Sequence, residues 1–307
     1  MDVDEVPPDA VVVPVSMLGA PTVSTEKLPN GTETLRALRA LEAARGSAAT
    51  HLVPIEIGGM NSLVPLALAA ATGLPVVDGD AMGRAFPEAQ MVLPTLAGIP
   101  ASPMAVADDK GNTLLVDAVS NVWAERIARA ACVATGCSVF TADTVMTGAQ
   151  LSDGLVAGTV TLAERLGAAA RTARAAHEDP VAAVTALAGG VHLGTGKVTD
   201  VHRTTTGGFA RGEATIACPD ADLHLSFQNE YLLATSADEV LATTPDLICV
   251  LETDTGEPIT TESLRYGHRV TALGIPCDPR WTTPAGLSLV GPRYFGYPHD
   301  HHPLPTR

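Results

Sequence analysis

Short apolar runs typical of strands alternate with segments of helical periodicity at the start of the chain, and this alternation constrains the fold more than any other feature. Short β-branched runs predict strands, and segments with helical periodicity and a glycine stop predict the helices between them. A strand–helix–strand–helix–strand order is typical of parallel βαβ units. The sequence therefore predicts an α/β region at the N-terminal end. Its predicted strands are residues 10–15, 51–57 and 74–77, and its predicted helices are residues 32–45 and 63–72.

Local signals refine these segments. Pro14 within the first strand indicates an edge or a strand end, because proline cannot donate to a sheet ladder. Thr32 is positioned to cap the first helix, and Asn61 or Ser62 to cap the second. Gly46 and Gly73 are expected to end the two helices.

The rest of the chain changes from helical to β-like. We expect a domain boundary near residue 120, with domains at 1–120 and 121–307, and helices before residue 190 that could serve as a connector. The final stretch PHDHHPLPTR, with His299, His301 and His302, is expected to be a loose or surface-bound tail. The predicted elements here are a hairpin at 104–106 and 113–116, helices at 122–135, 161–177 and 180–189, and strands at 194–204, 211–218, 223–230, 247–251 and 269–274.

Composition limits the classes of partner. A formal net charge of -15 argues against a surface for duplex nucleic acid or anionic membrane, because both require clustered Lys and Arg. No apolar run reaches the ~18 residues that a membrane span needs. Five cysteines without a CxxC pair, and an acidic start without a signal-peptide segment, favour a reduced cytoplasmic chain. A small-molecule or protein partner is favoured.

The loop after the second predicted strand, EIGGMNS, offers three polar side chains around a glycine pair. Glu56 lies inside an apolar strand, where an unpaired charge is costly, so it is a candidate catalytic residue. Asn61 and Ser62 are candidate substrate ligands. Their alternative interpretation is a helix cap after a glycine turn.

The loop after the third predicted strand, DGDAMGRAFPE, contains three carboxylates and one arginine. Asp78, Asp80 and Glu88 are candidates for a general base or metal ligand, and Arg84 for holding an anionic or carbonyl group. Ligands of α/β folds gather at the carboxyl ends of parallel strands, so both loops are expected at one cleft. The alternative is an internal salt-bridge network in which Arg84 neutralises the carboxylates.

The β-like half supplies further candidates for substrate binding. Gln228, Asn229 and Glu230 are three consecutive polar residues at a predicted strand end, which must be solvated or contact a ligand. Arg211 lies in the stretch GGFARG, which lacks the lysine and spacing of a phosphate loop.

Six motifs resemble, in order and spacing, the S-methyl thiohydantoin desulfurase-like family, which is often encoded near hydantoinase or oxoprolinase proteins. The resemblance covers essentially the whole chain. Its motifs are EIGGMNS (56–62), LPVVDGDAMGRAFPE (74–88), TGKVTDVHRTTTGGFARG (195–212), QNEYL (228–232), PDLICVLETDTGEPITTE (245–262) and GPRYFGYP (291–298).

The resemblance implies an N-terminal swivelling β/β/α domain followed by a β-rich C-terminal domain. It implies hydrolysis of an S-methylated thiohydantoin to a hydantoin and methanethiol. That reaction needs a base and a donor, and a divalent metal is a candidate cofactor. Glu56, Asp78 or Asp80 could supply the base, and Arg84 and Asn229 the donors.

One departure from the family pattern is that this chain shows no glycine-rich GTGGGG segment before MDVDEVPP. On this resemblance, the chain lacks the activity, receives the segment from a partner chain, or is read from a late start codon. A homo-oligomer is also expected. Two alternatives therefore stay open. The chain could be an accessory subunit of a hydantoinase-type complex, or a cyclase or lyase that uses the same carboxylates.

Overall fold

A computed structural model describes residues 1–24, 26–237 and 239–304. The chain divides into two compact units. The N-terminal unit comprises Met1–Thr161 with Gly207–Phe209, and the C-terminal unit comprises Leu162–Thr206 with Ala210–Arg307. Among the described residues, no helix is both long and apolar enough to cross a membrane.

The N-terminal unit contains short helices and strands that alternate in its first part. Its helices are α1 Pro21–Ser24, α2 Glu33–Arg45, α3 Val64–Thr72, α4 Leu93–Leu96, α5 Asn121–Ala134 and α6 Leu151–Gly154, with 3-10 turns at Val3–Glu5, Met60–Ser62 and Gly148–Gln150. Its strands are β1 Val11–Gly19, β2 His51–Pro54, β3 Gly79–Asp80, β4 Met104–Ala107, β5 Thr113–Val116, β6 Ser138–Ala142, β7 Met146–Thr147 and β8 Val156–Ala157.

The sheet of this unit is mixed. Its order is β2-β1-β6-β4-β5, with β7 also paired to β1, while β3 and β8 form a separate pair. Strands β1 and β2 are parallel and joined by α2, as the alternation predicts. The third predicted strand is reduced to a parallel bridge between Leu52 and Val76, and Pro75 has no N–H with which to extend this pairing. The second strand ends at Pro54 instead of residue 57.

The expectation that Pro14 marks an edge is wrong. Strand β1 is central, with β2 on one side and β6 and β7 on the other. The Pro14 carbonyl faces Asp143, where β6 ends and Thr144 has a positive φ of 48°. The missing N–H of Pro14 therefore falls where the antiparallel ladder is interrupted, so the sheet loses no regular hydrogen bond there.

Helices cover both faces of this sheet. One core cluster joins α2 and α3 to β1 and β2, and a second joins α5 to β4 and β6. Gly46 and Gly73 end α2 and α3 in the left-handed conformation, as predicted. Thr32 makes no side-chain cap, and Glu33 instead accepts the free N–H groups of Asn30 and Gly31. Asn61, which the sequence predicts as one candidate cap of α3, has other partners that are described below.

The C-terminal unit is built on a seven-stranded sheet of order β13-β12-β11-β10-β9-β15-β14, in which the described pairs are antiparallel. The fold class, α/β followed by a β-rich region, is confirmed. Its strands are β9 Val191–Thr206, β10 Phe209–Ala217, β11 Leu223–Gln228, β12 Glu230–Ser236, β13 Glu239–Thr243, β14 Leu247–Glu252 and β15 Arg269–Ile275. Its helices are α7 Thr159–Ala175, which begins in the N-terminal unit, α8 Pro180–Ala188 and α9 Pro284–Val290, with 3-10 turns at Pro279–Thr282 and Pro292–Phe295.

The described part of the C-terminal tail is docked, so of the two expected states, loose or bound, it is bound. The Nε2 of His301 lies 3.1 Å from Oδ2 of the buried Asp246. The same carboxylate accepts the Leu304 N–H at 3.2 Å, and the Leu304 side chain packs into the core of the unit. A long-range partner 55 residues away fixes the tail, which no local pattern could indicate.

Candidate active site

Glu56 lies two residues beyond β2, at the carboxyl end of a parallel strand. Its Oε1 accepts a 2.7 Å hydrogen bond from Asn61 Nδ2, and the Phe86 N–H also donates to the carboxylate. The residue as a whole is partly exposed, but the surrounding protein removes most of the water that would stabilise a charge on the carboxyl group. Burial therefore raises the pKa of Glu56 to about 7.

Neighbouring groups adjust this pKa in both directions. After burial, the hydrogen bond from Asn61 lowers it, the charge of Asp80 raises it, and the charge of Arg84 lowers it. A carboxyl with a pKa near neutrality can take up and release a proton in the same reaction. Glu56 is thus chemically suited to acid–base catalysis.

Asn61 is fully occupied by protein groups. Its Oδ1 accepts the Met17 N–H at 2.7 Å, and its Nδ2 donates to the Met17 carbonyl at 3.1 Å and to Glu56. It therefore does not cap α3, whose N-cap is Leu63 and has no side-chain hydrogen bond. Ser62 does not cap it either, because its hydroxyl donates to the Gly59 carbonyl at 2.8 Å.

Asp80 is fully buried at the start of the second loop. Its Oδ2 accepts three backbone N–H groups, from Ile57 at 3.1 Å, Met82 at 2.9 Å and Gly83 at 2.7 Å. Its Oδ1 makes no hydrogen bond to the described part of the chain. The Thr159 hydroxyl lies beside the carboxylate and lowers its pKa, but stays outside hydrogen-bonding geometry. Burial dominates and raises the pKa of Asp80 to about 6.

Arg84 is buried close to this pair of carboxyl groups. Its Nε donates to the Ala85 carbonyl at 3.0 Å, and its guanidinium carbon lies 4.8 Å from the centre of the Phe86 ring. Only 4% of the residue is exposed. A buried cation beside Glu56 can stabilise negative charge that develops on a bound substrate.

The other carboxylates of the second loop have structural partners. Asp78 accepts the Val160 and Thr161 N–H groups at 2.9 and 3.1 Å and also bonds the Thr161 hydroxyl, so it caps the first turn of α7. Glu88 accepts a 2.6 Å hydrogen bond from Gln90 Nε2. The structure therefore brings Glu56, Asp80 and Arg84 together, while Asp78 caps α7 and Glu88 accepts a hydrogen bond from Gln90.

Four predicted substrate ligands lie in the C-terminal unit. Gln228 is buried, Glu230 is partly buried, and Arg211 is exposed on β10 in register with Gln228. Asn229 separates β11 from β12 with a positive φ of 58°, and its Oδ1 accepts the Ala210 N–H. Asn229 therefore shapes a turn within this sheet.

Sequence reasoning missed two contributors to the site. Thr159 lies 79 positions after Asp80, and the Phe86 group involved is a backbone N–H, which leaves no mark in the sequence. Among the residues that the structure describes, no group of three or more His, Cys, Asp or Glu side chains could hold a metal ion. Asp80 in particular already uses one oxygen for three N–H donors. The described side chains therefore do not fit the divalent metal considered from the sequence.

Comparison with known proteins identifies relatives by sequence and by structure. Residues 1–118 match the S-Me-THD-like N-terminal domain, and residues 119–304 match the S-Me-THD-like C-terminal domain. A crystal structure of a protein from Chromobacterium violaceum, a Northeast Structural Genomics Consortium target, is similar with a TM-score of 0.81 and 24% identity, over 99% of this chain and 86% of that one. At this identity the likeness establishes the fold alone. No curated protein matches the sequence significantly.

Proposed function

Because the chain belongs to the S-Me-THD-like family, we propose that it hydrolyses a five-membered S-methylated thiohydantoin or a similar cyclic amide, with Glu56 as the base. The observation that carries this proposal is the Glu56 carboxyl itself. It lies just beyond a strand end in a partly exposed residue, and it has a pKa of about 7 beside the buried cation Arg84.

The reaction requires one proton to be taken up and then returned. The Glu56 carboxylate takes a proton from water while the oxygen adds to the carbon that bears the methylthio group. The electrons of the ring C=N bond move onto nitrogen, where the nearby Arg84 stabilises the charge. The hydroxyl proton then moves to the ring nitrogen as the carbonyl forms, and the C–S bond breaks. Glu56 returns its proton to sulfur, which releases methanethiol and leaves a hydantoin.

Asp80 has a supporting role in this scheme. One of its oxygens holds Ile57 against the following loop, and its charge raises the pKa of Glu56. We assign no step to Asp78 or Glu88, whose carboxylates hold structural hydrogen bonds. Arg211, Gln228, Asn229 and Glu230 stay predicted substrate ligands and have no step in this scheme.

The test uses the purified chain and S-methylated thiohydantoins, with methanethiol detected by a thiol reagent and the hydantoin by mass spectrometry. We expect turnover without added partner, and a loss of at least about a hundredfold in Glu56→Gln, the usual contribution of a general base. The exposed Glu164, changed to Gln, is the matched control and keeps wild-type activity.

The pH dependence gives a second readout. The base must be ionised, so kcat/KM rises with pH through about 7 as Glu56 loses its proton. Full activity of Glu56→Gln would refute the assignment. Turnover only when a hydantoinase-type partner is added would favour an accessory subunit instead.

A further inference from the structure

The asparagine beside Glu56 has a geometry that neither a helix cap nor a substrate ligand needs. A side-chain amide has one acceptor and two N–H donors, and the Asn61 amide has a partner for each. Two of these partners are the N–H and the carbonyl of one residue, Met17. The third is the Glu56 carboxylate.

This pairing makes the amide orientation unambiguous. Turning the Asn61 amide over would place its N–H groups against the Met17 N–H and its oxygen against both the Met17 carbonyl and the Glu56 carboxylate. All three hydrogen bonds would be lost together. The backbone of Met17 therefore forces an N–H donor to face Glu56.

The strand pairing explains why the backbone N–H and carbonyl of Met17 are available to Asn61. Strand β2 pairs with Val12–Val15 of β1 and ends at Pro54, so Met17 lies beyond the end of the parallel ladder. The Asn61 side chain takes the place of the next strand residue and satisfies both Met17 groups. The backbone of β1 therefore fixes the orientation of the Asn61 side chain in the loop.

We propose that Asn61 is a positioning residue that acts through Glu56, holding its carboxylate in one orientation and favouring the charged form that activates water. This inference rests on the proposed role of Glu56 as the base. It differs from the expectation that Asn61 contacts substrate, because a positioning residue alters the pH dependence of catalysis, whereas a substrate ligand alters KM.

The decisive experiment follows the ionisation of Glu56 in the substrate-free protein. The protein is labelled with ¹³C at glutamate side chains, and the Glu56 carboxyl signal is identified by its loss in Glu56→Gln. We expect a midpoint near pH 7 in the wild type. In Asn61→Ala we expect a midpoint about one pH unit higher, the size of effect expected when a hydrogen bond to a charged group is removed.

Asn61→Asp provides a second variant that keeps the acceptor for the Met17 N–H but replaces the donor with an oxygen that faces Glu56. Its Glu56 midpoint is expected to rise at least as far. The matched control is Asn121→Ala. Asn121 likewise accepts the Ala101 N–H and donates to the Ile99 carbonyl, but its described partners include no carboxylate. This control is expected to lose a similar pair of hydrogen bonds to the backbone and to leave the Glu56 midpoint unchanged.

The outcomes separate the two hypotheses. An unchanged Glu56 midpoint in folded Asn61→Ala, or an equal shift in Asn121→Ala, overturns the positioning role. A shifted midpoint in a protein that does not cleave thiohydantoins retains the positioning role and rejects the proposed reaction. If turnover is present, the pH profile of kcat/KM for Asn61→Ala should move to higher pH by as much as the Glu56 midpoint does, with KM unchanged. A raised KM without a pH shift would instead make Asn61 a substrate ligand.

Discussion

Replacing Asp80 with asparagine is expected to stabilise the protein at neutral pH. The asparagine oxygen can occupy the position of Oδ2 and accept the three N–H groups from Ile57, Met82 and Gly83. The new NH₂ group then takes the place of Oδ1, which makes no hydrogen bond in the described structure. It would face the Thr159 hydroxyl, whose oxygen also lacks a hydrogen bond there, so the substitution removes a charge and gives one of the two new N–H groups an acceptor.

The size of the effect follows from the displaced ionisation of Asp80. Burial raises its pKa from an ordinary 3.8 to about 6. At 1.36 kcal/mol for each pKa unit, the ionised form costs about 3 kcal/mol of folding free energy. The folded protein binds more protons than the unfolded chain between these two pH values, so stability falls as the pH rises through that window. Below pH 4 the cost is absent, and above pH 6 it is complete.

Asp80→Asn resembles the protonated wild type at every pH. The variant and the wild type should therefore have similar unfolding free energies near pH 3.5, and the variant should be about 3 kcal/mol more stable at pH 7. The exposed Asp117, changed to Asn, is the matched control and should show no such pH-dependent difference.

Urea unfolding can report on the N-terminal unit alone. The chain has two tryptophans, Trp123 on α5 and the buried Trp281 in the C-terminal unit. A Trp281→Phe background, shared by all proteins compared, leaves Trp123 as the fluorescent probe. A variant less stable than its parent at pH 7 would refute the reasoning, because the Asp80 charge would then stabilise the fold. The same variant should retain turnover, with the pH profile moved to lower pH since the Asp80 charge raises the pKa of Glu56.

Two further predictions concern carboxylates with structural roles. Asp246→Asn weakens the hydrogen bonds that hold the C-terminal tail, and we expect a loss of about 2 kcal/mol with earlier proteolysis near His301. Burial opposes the charge of Asp246, but the hydrogen bonds from His301 and the Cys277 N–H outweigh it and lower its pKa. This stabilisation is therefore lost in acid as that carboxylate is protonated. Equal proteolysis of both proteins would contradict the contact. Asp78→Ala removes the cap of α7 and should cost about 1 kcal/mol in thermal or urea unfolding while kcat stays unchanged; a selective loss of kcat would return Asp78 to the catalytic residues.

The parts of the fold that the sequence predicts well depend on local signals. Helices α2 and α3 follow from apolar periodicity and from glycines that tolerate a positive φ, and the β4–β5 hairpin follows from its polar turn. Strand β6 was not predicted, because a short strand after a helix resembles the end of that helix. The prediction from Pro14 was wrong for a different reason. A proline is tolerated in this central strand because the antiparallel ladder is interrupted at Asp143, more than 120 residues away in sequence.

The candidate site is predictable only in part, for a physical reason. Glu56 stands out because a charge in an apolar strand is costly wherever the chain folds. The functions of Asn61, Asp78 and Thr159 depend on partners 44, 82 or 79 residues away in sequence, so their roles emerge only from tertiary structure.

The acidic residues in these two loops are of two kinds, structural carboxylates and carboxylates whose ionised form is opposed by burial. Asp78 and Glu88 accept hydrogen bonds that hold the local structure, and replacing them should weaken the fold. Burial instead opposes the ionised forms of Glu56 and Asp80. A fold retains such groups when their charge serves something other than stability, which is typical of catalytic sites. Asp80 raises the proton affinity of Glu56 while Asn61 and Arg84 lower it, and a base tuned from both sides keeps its pKa near neutrality. Asp80→Asn and Asn61→Ala should therefore move the Glu56 midpoint in opposite directions, and parallel shifts would show that a general loss of packing controls it instead.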